Sequence, residues 1–172
     1  MLPTIKIECS EFLIKSNNNF ILKSLPKTTE GFKKVKVRQR NVKELFREIF
    51  DRGLHNNKTF TSRAVYAVGE NGYIPSNDET LEPFYIFPIN GFKFYYNPVV
   101  QNTEQQYTKI LDKSLKIIDK DTVIEMFSEN IKDSYTSENL IDGIKTGSEI
   151  IIYNIPYFYA VRKTVLDDIK AG

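Results

Sequence analysis

The sequence predicts an α+β fold in a single domain, residues 1–172, with mixed or antiparallel sheets and a few packed helices. Three observations lead there. Strand-like and helix-like stretches follow one another without regular βαβ alternation, which argues against a parallel doubly wound sheet. A chain of 172 residues has the length of one ordinary domain and buries a real core. No repeat, low-complexity run or linker divides it.

The elements are read in chain order. Residues 4–25 predict two or three short strands, because Ile5 and Ile7 alternate with Lys6 and Glu8 and the turn-prone Asn17–Phe20 precedes an apolar run. Residues 26–31 form a loop, and KKVKVRQ predicts a half-buried strand in which Val35 and Val37 alternate with charge. Asn41 predicts a helix N-cap, with Glu44 three positions on as its capping-box partner. Val42, Leu45, Phe46, Ile49 and Phe50 then make one apolar stripe, and Gly53 ends the helix. Thr59–Ser62 predicts a short strand turning helical over Arg63–Val68, followed by a loop rich in Gly and Pro.

The run PFYIFPINGFKFYY predicts a hairpin about Asn90-Gly91, the pair favoured in type I′ turns, with Pro88 marking an edge strand or a bulge. Ile110, Leu111, Leu115 and Ile118 mark an amphipathic stretch. Asp121 caps a helix running to about Ile131, with Val123, Ile124 and Phe127 inward. Thr136 or Ser137 caps another, with Leu140, Ile141 and Ile144 inward and Gly147 as its stop. Ile150–Ile152 and the aromatic run after Pro156 predict a closing hairpin.

Composition narrows the chemistry. Hydrophobic content of 41% and charged content of 27% are globular values. Apolar runs are strand-sized, so no membrane span is expected, and the charged N-terminal stretch lacks a signal-peptide core. The expected setting is a reducing cytoplasm. Cys9 is the only cysteine and His55 the only histidine, which excludes an internal disulfide and argues against structural zinc. Cys-His and Ser-His catalysis would have to run through His55 alone. Carboxylates, hydroxyls, tyrosines and arginines are left to carry any catalysis. The net charge is +2, yet basic residues dominate 1–60 and acidic ones 104–149. The basic peak, Lys33–Arg40, reads either as a lysine-guarded sheet edge or as an anion-binding face.

Three places set polar side chains at an expected sheet rim: Arg38 or Arg40, the hydroxyl-rich Thr59–Ser62, and Glu149 ahead of three isoleucines. Each has an ordinary reading as well, namely surface charge, strand and cap residues, and a solvated strand end. Their order along the chain resembles the Arg–Ser/Thr–Glu pattern of the ADP-ribosyltransferase superfamily. Phe60, Thr61, Ser62, Ala64 and Tyr66 match its middle motif, and GSEIIIYNIPYFYAV its late Glu-bearing segment. The resemblance covers residues 33–162 through short motifs. It implies an ADP-ribosyltransferase-like fold and NAD as substrate. In that reading Glu149 stabilises an oxocarbenium-like transition state, with Thr61 and Ser62 as the other catalytic residues, orienting it. Arg38 or Arg40 would hold the diphosphate, Tyr66 or Tyr73 would stack on nicotinamide, and Phe60 belongs with the cofactor-binding set.

Gly147 departs from the pattern. It stands where arginine-modifying members carry Glu or Gln, so the resemblance implies another acceptor (a host protein or nucleic acid), NAD hydrolysis, or a retained fold without activity. The segments YIFPINGFKFYYNP and YTSENLIDGIKTGSEIII also resemble uncharacterised proteins of tailed bacteriophages. That likeness implies a host-cytoplasmic or virion location. It keeps open a non-enzymatic reading, a virion component contacting other virion proteins or a host-protein binder. A phosphate- or RNA-binding module remains a third reading, on the basic N-terminal part.

Overall fold

The chain's computed structural model describes residues 1–54, 61–99 and 103–171. Seven strands form one antiparallel sheet: β1 (Ile21–Pro26), β2 (Phe32–Lys36), β3 (Val65–Gly69), β4 (Leu81–Pro88), β5 (Lys93–Tyr95), β6 (Ile150–Tyr153) and β7 (Tyr157–Arg162), in the order β2-β7-β4-β1-β3-β6-β5. Seven helices are described: α1 (Leu2–Glu8), α2 (Ser10–Ser16), α3 (Glu44–Gly53), α4 (Thr103–Leu115), α5 (Lys120–Ser134), α6 (Leu140–Lys145) and α7 (Lys163–Ala171). The fold is α+β, as the sequence predicts. No described helix is long and apolar enough to cross a membrane.

Strand alternation sorts the core into two parts. Ile150 and Ile152 pack in the larger core with residues of α1, α2, α6 and α7, whereas Ile151 between them packs with α3, α4 and α5. The second core centres on Phe50, whose ring stacks on Phe46 at 4.4 Å and meets Tyr107 and Tyr135 edge-on.

The sheet must curl sharply near its middle. Strands β6 and β7 are joined by only Asn154–Pro156, yet β3, β1 and β4 lie between them in the strand order. Four strand steps in a flat sheet span about 19 Å, while four residues of extended chain reach only about 14 Å. The turn falls at β3: Val65–Ala67 pair with β6, and Val68 and Gly69 pair with β1.

Several expected elements differ. Residues 2–16 are helical, not stranded: Ile5, Cys9, Phe12 and Ser16 are buried at helical spacing, while Ile7 and Ile14 face solvent. Helix α3 starts at Glu44 behind Lys43, so Asn41 does not cap it. Thr61–Arg63 is a single 3₁₀ turn, and the expected helix over Arg63–Val68 is strand β3, with Val65, Ala67 and Gly69 buried in strict alternation. Neither expected hairpin forms. β4 lies inside the sheet and β5 at its far edge, and β6 and β7 are not neighbours.

Asn90 instead ties to the α1–α2 junction: its N–H donates to Glu8 O at 2.7 Å and its Oδ1 accepts from Glu11 N at 3.0 Å. Pro88 closes β4, opposite Phe158 of β7, rather than marking an edge or a bulge. Asp119, not Asp121, caps α5 by accepting from Thr122 N. Asn139 precedes α6, while Thr136 bridges to Tyr96. The Lys33–Lys36 strand is a sheet edge, as one reading of its charge expects, with Lys34 and Lys36 exposed.

Candidate functional site

The arrangement around β3 is built from backbone contacts outward. Asp51, near the end of α3, accepts from Thr61 N at 2.9 Å and so fixes the 3₁₀ turn against the helix. Burial pushes the Asp51 carboxyl above its ordinary range, a rise that the Thr61 hydrogen bond and the Arg47 charge oppose. From that turn, Thr61 O accepts from Tyr66 OH at 3.2 Å, and Ser62 O accepts from Arg40 N at 2.9 Å. The segment after β2 is thereby pinned beside β3. The Arg40 guanidinium carbon sits 4.6 Å from the centre of the Tyr66 ring, within cation–π range.

Lys23 of β1 completes the group, its Nζ donating to Tyr66 O at 3.2 Å. Burial holds the Lys23 ammonium below its ordinary pKa; the Arg40 charge adds to that, and Glu149 works against it. Glu149 lies two residues before Ile151, the partner of Tyr66, and continuing the strand alternation brings it to the Tyr66 face of the sheet. Lys23, Arg40, Tyr66 and Glu149 are all half-buried, each keeping some solvent access.

The sequence-derived candidates therefore divide. Arg40, Tyr66 and Glu149 come together. Arg38 is exposed on the segment beyond β2, two residues short of the cluster. Tyr73 is held by a different contact: its hydroxyl pairs with Ser24 Oγ at 2.7 Å. Thr61 and Ser62 adjoin the cluster through their backbone, but their side chains are buried, at 0% and 3% exposure. Thr61 Oγ1 has no hydrogen-bond partner in bonding geometry among the described residues, although it is near enough to favour the charged form of Asp51. Phe60, Thr59 and His55 lie outside the described residues.

Gly147 has a structural task. Its N–H donates to Ile144 O and Ser148 N–H to Gly143 O, the paired bonds of a Schellman C-cap, with Gly147 at φ +75°. A Cβ on Gly147 would lie 3.0 Å from the Gly72 backbone. The same closeness leaves little room for any side chain at this position.

Sequence reasoning missed Lys23. Its signal was a charge inside the apolar run Phe20–Leu25, on a strand that proves central. It also missed Glu8, whose two carboxylate oxygens accept from Tyr157 OH at 2.8 Å and Tyr159 OH at 2.7 Å. Two surface hollows, of about 190 and 480 Å³, lie beside Asn18–Phe20 and beside the start of α6, and neither is lined by the Lys23–Glu149 cluster. Comparison with known families, with curated proteins and with solved structures finds no match to this chain.

Proposed function

We propose that the protein is an NAD-consuming enzyme of ADP-ribosyltransferase type, hydrolysing NAD or transferring ADP-ribose to a host protein or nucleic acid. The observation that carries the reading is the meeting of Arg40, Tyr66 and Glu149, far apart in sequence, around one strand. In the reaction the bond from ribose C1′ to the nicotinamide nitrogen breaks, and nicotinamide leaves neutral with the bonding electrons. Positive charge develops at C1′ and the ring oxygen, where the Glu149 carboxylate stabilises it. Water or an acceptor atom then adds at C1′ and releases a proton. Arg40 offers a planar fork of donors to the phosphates. The ADP-ribosyltransferase-like fold and the bacteriophage origin belong to this reading, with action in the host cytoplasm or from the virion.

One observation favours a second reading, a non-enzymatic phage protein of the virion or a host-protein binder. The Thr61 and Ser62 hydroxyls, which the resemblance assigns to orienting Glu149, are buried.

Nicotinamide release from NAD, followed by chromatography, decides between them, together with labelling of a bacterial lysate by NAD tagged on its adenine. The enzyme reading expects turnover that Glu149→Gln reduces at least about a hundredfold, the scale of losing one preorganised electrostatic stabiliser. Thermal stability should barely change, because Glu149 is half-buried and not in either core. Turnover that survives Glu149→Gln ends the catalytic assignment. No turnover by wild-type protein, with co-purification in particles or with a host protein, establishes the second reading.

A further inference from the structure

We propose that the outer edge of β2 docks an extended acidic segment of another protein, which joins the sheet as a further antiparallel strand. The inference is independent of the NAD reading and stands or falls without it.

Two hydrogen bonds fix which way the backbone of β2 faces. Arg162 N donates to Gly31 O at 2.8 Å, and Val37 N donates to Pro156 O at 3.0 Å. Gly31 and Val37 thus turn toward β7, and alternation turns Lys33 and Val35 the same way, opposite Ala160 and Phe158. Phe32, Lys34 and Lys36 then direct their N–H and C=O groups away from the sheet. None of these groups has a partner among the described residues, where β2 ends the strand order. The opposite edge is shorter and closed at one end. There β5 has three residues, and Tyr96 beyond it exchanges backbone bonds of 3.0 and 2.9 Å with Thr136.

The side chains on this edge define what it fits. Residues of an antiparallel neighbour that stand opposite Phe32, Lys34 and Lys36 share their face of the sheet. Phe32 is half-buried, its ring stacked on Tyr159 at 5.4 Å. Lys34 is exposed with its Nζ 3.9 Å from the centre of the Tyr157 ring, and it helps to keep Glu8 charged. Lys36 is exposed and has no side-chain partner among the described residues, and exposed Arg38 extends the row. The complement, read along an antiparallel partner, is acid-x-acid-x-apolar. Its carboxylates stand opposite Lys36 and Lys34, and its apolar side chain stands opposite Phe32.

Two other occupants match less well. Pairing β2 with a second copy of itself about Lys34 or about Val35 sets lysine against lysine. Nucleic acid answers the charge but not the backbone. Phosphates only accept hydrogen bonds, whereas this edge alternates donors with acceptors, the pattern that another peptide chain completes.

The experiment is fluorescence anisotropy with the full chain and a blocked, labelled peptide of strand-forming residues in the order acid-x-acid-x-aromatic. Wild type should bind it at low salt, and less tightly as salt rises. Lys36→Glu should weaken binding about three- to tenfold, the scale of reversing one cross-strand charge pair. A peptide with lysines in place of its acids should instead prefer Lys34→Glu/Lys36→Glu to wild type. Circular dichroism checks that the variants fold, and Lys36→Glu alone suffices where the double variant does not. Methylating the amide nitrogens of the two acidic residues, which face β2, should abolish binding, while methylating the residue between them should be tolerated. A peptide that fails to bind wild type overturns the proposal. So does equal binding of the two methylated forms, which is charge attraction alone. Single-stranded DNA that binds more tightly than the peptide, and loses that binding in Lys36→Glu, overturns it in favour of a nucleic-acid face.

Discussion

Replacing Gly147 by alanine should destabilise the protein through two separable effects, and two other glycines measure each alone. At Gly91 φ is +91° and no atom lies within 4 Å of the place an added methyl would take, so Gly91→Ala meets only the backbone penalty. A positive φ costs an L-residue about 1–2 kcal/mol. Gly72 has no such φ, but its added Cβ would lie 2.3 Å from Gly147 O, a backbone atom that cannot swing aside. Gly72→Ala should therefore cost about 1–3 kcal/mol as overpacking. Gly147→Ala combines φ +75° with contacts of 3.0 Å to Gly72 N and Cα, which predicts about 2–5 kcal/mol. For a chain of this length each kcal/mol moves Tm by about 2–4 °C. Urea denaturation followed by circular dichroism gives the free energies directly. Because Gly72 and Gly147 share one contact, the double variant should cost less than the sum of the two singles. A Gly147→Ala no worse than Gly91→Ala, or a neutral Gly72→Ala, would show that the two segments do not pack as closely as described.

Two further outcomes follow from groups away from the site. Hydrogen bonds from Tyr159 and Tyr157 hold the Glu8 carboxyl below its ordinary 4.5. A lowered carboxylate pKa contributes stability that is present above the unfolded value and disappears as pH falls through the folded one. The urea midpoint of wild type should thus exceed that of Glu8→Gln by a constant gap from pH 7 to about 4.5, shrinking below it; a gap that widens with acid contradicts the two-phenol grip. Cys9 is wholly buried, its Sγ donating to Phe87 O at 3.4 Å, and burial pushes its thiol up to about 12. A thiol reagent at pH 8 should leave native protein unlabelled over minutes and react fully in guanidinium, and prompt native labelling would place Cys9 at the surface.

What the sequence disclosed depended on whether a signal was local. Leu45, Phe46, Ile49 and Phe50 of α3 and the stop at Gly147 are set by neighbours three and four residues away and are where the pattern puts them, while Val42 of the same stripe precedes the helix. Pairing partners are not local. Asn90-Gly91 carries the residues of a tight turn, yet Asn90 finds better acceptors and donors on Glu8 and Glu11, some 80 residues earlier, and β4 goes to the sheet interior. The first sixteen residues mislead for a related reason. Ile5 and Ile7 satisfy a two-residue period, and only the burial of Cys9, a residue easily read as chemistry rather than packing, reveals the helical one. The site follows the same division. Arg40 and Glu149 were visible as charges at strand ends, but their convergence depends on β3 pairing with β1 through one end and β6 through the other. Lys23 shows most plainly why the remainder was illegible: a lysine in an apolar run is ordinary on an edge strand and costly on a central one, and only the strand order distinguishes the two.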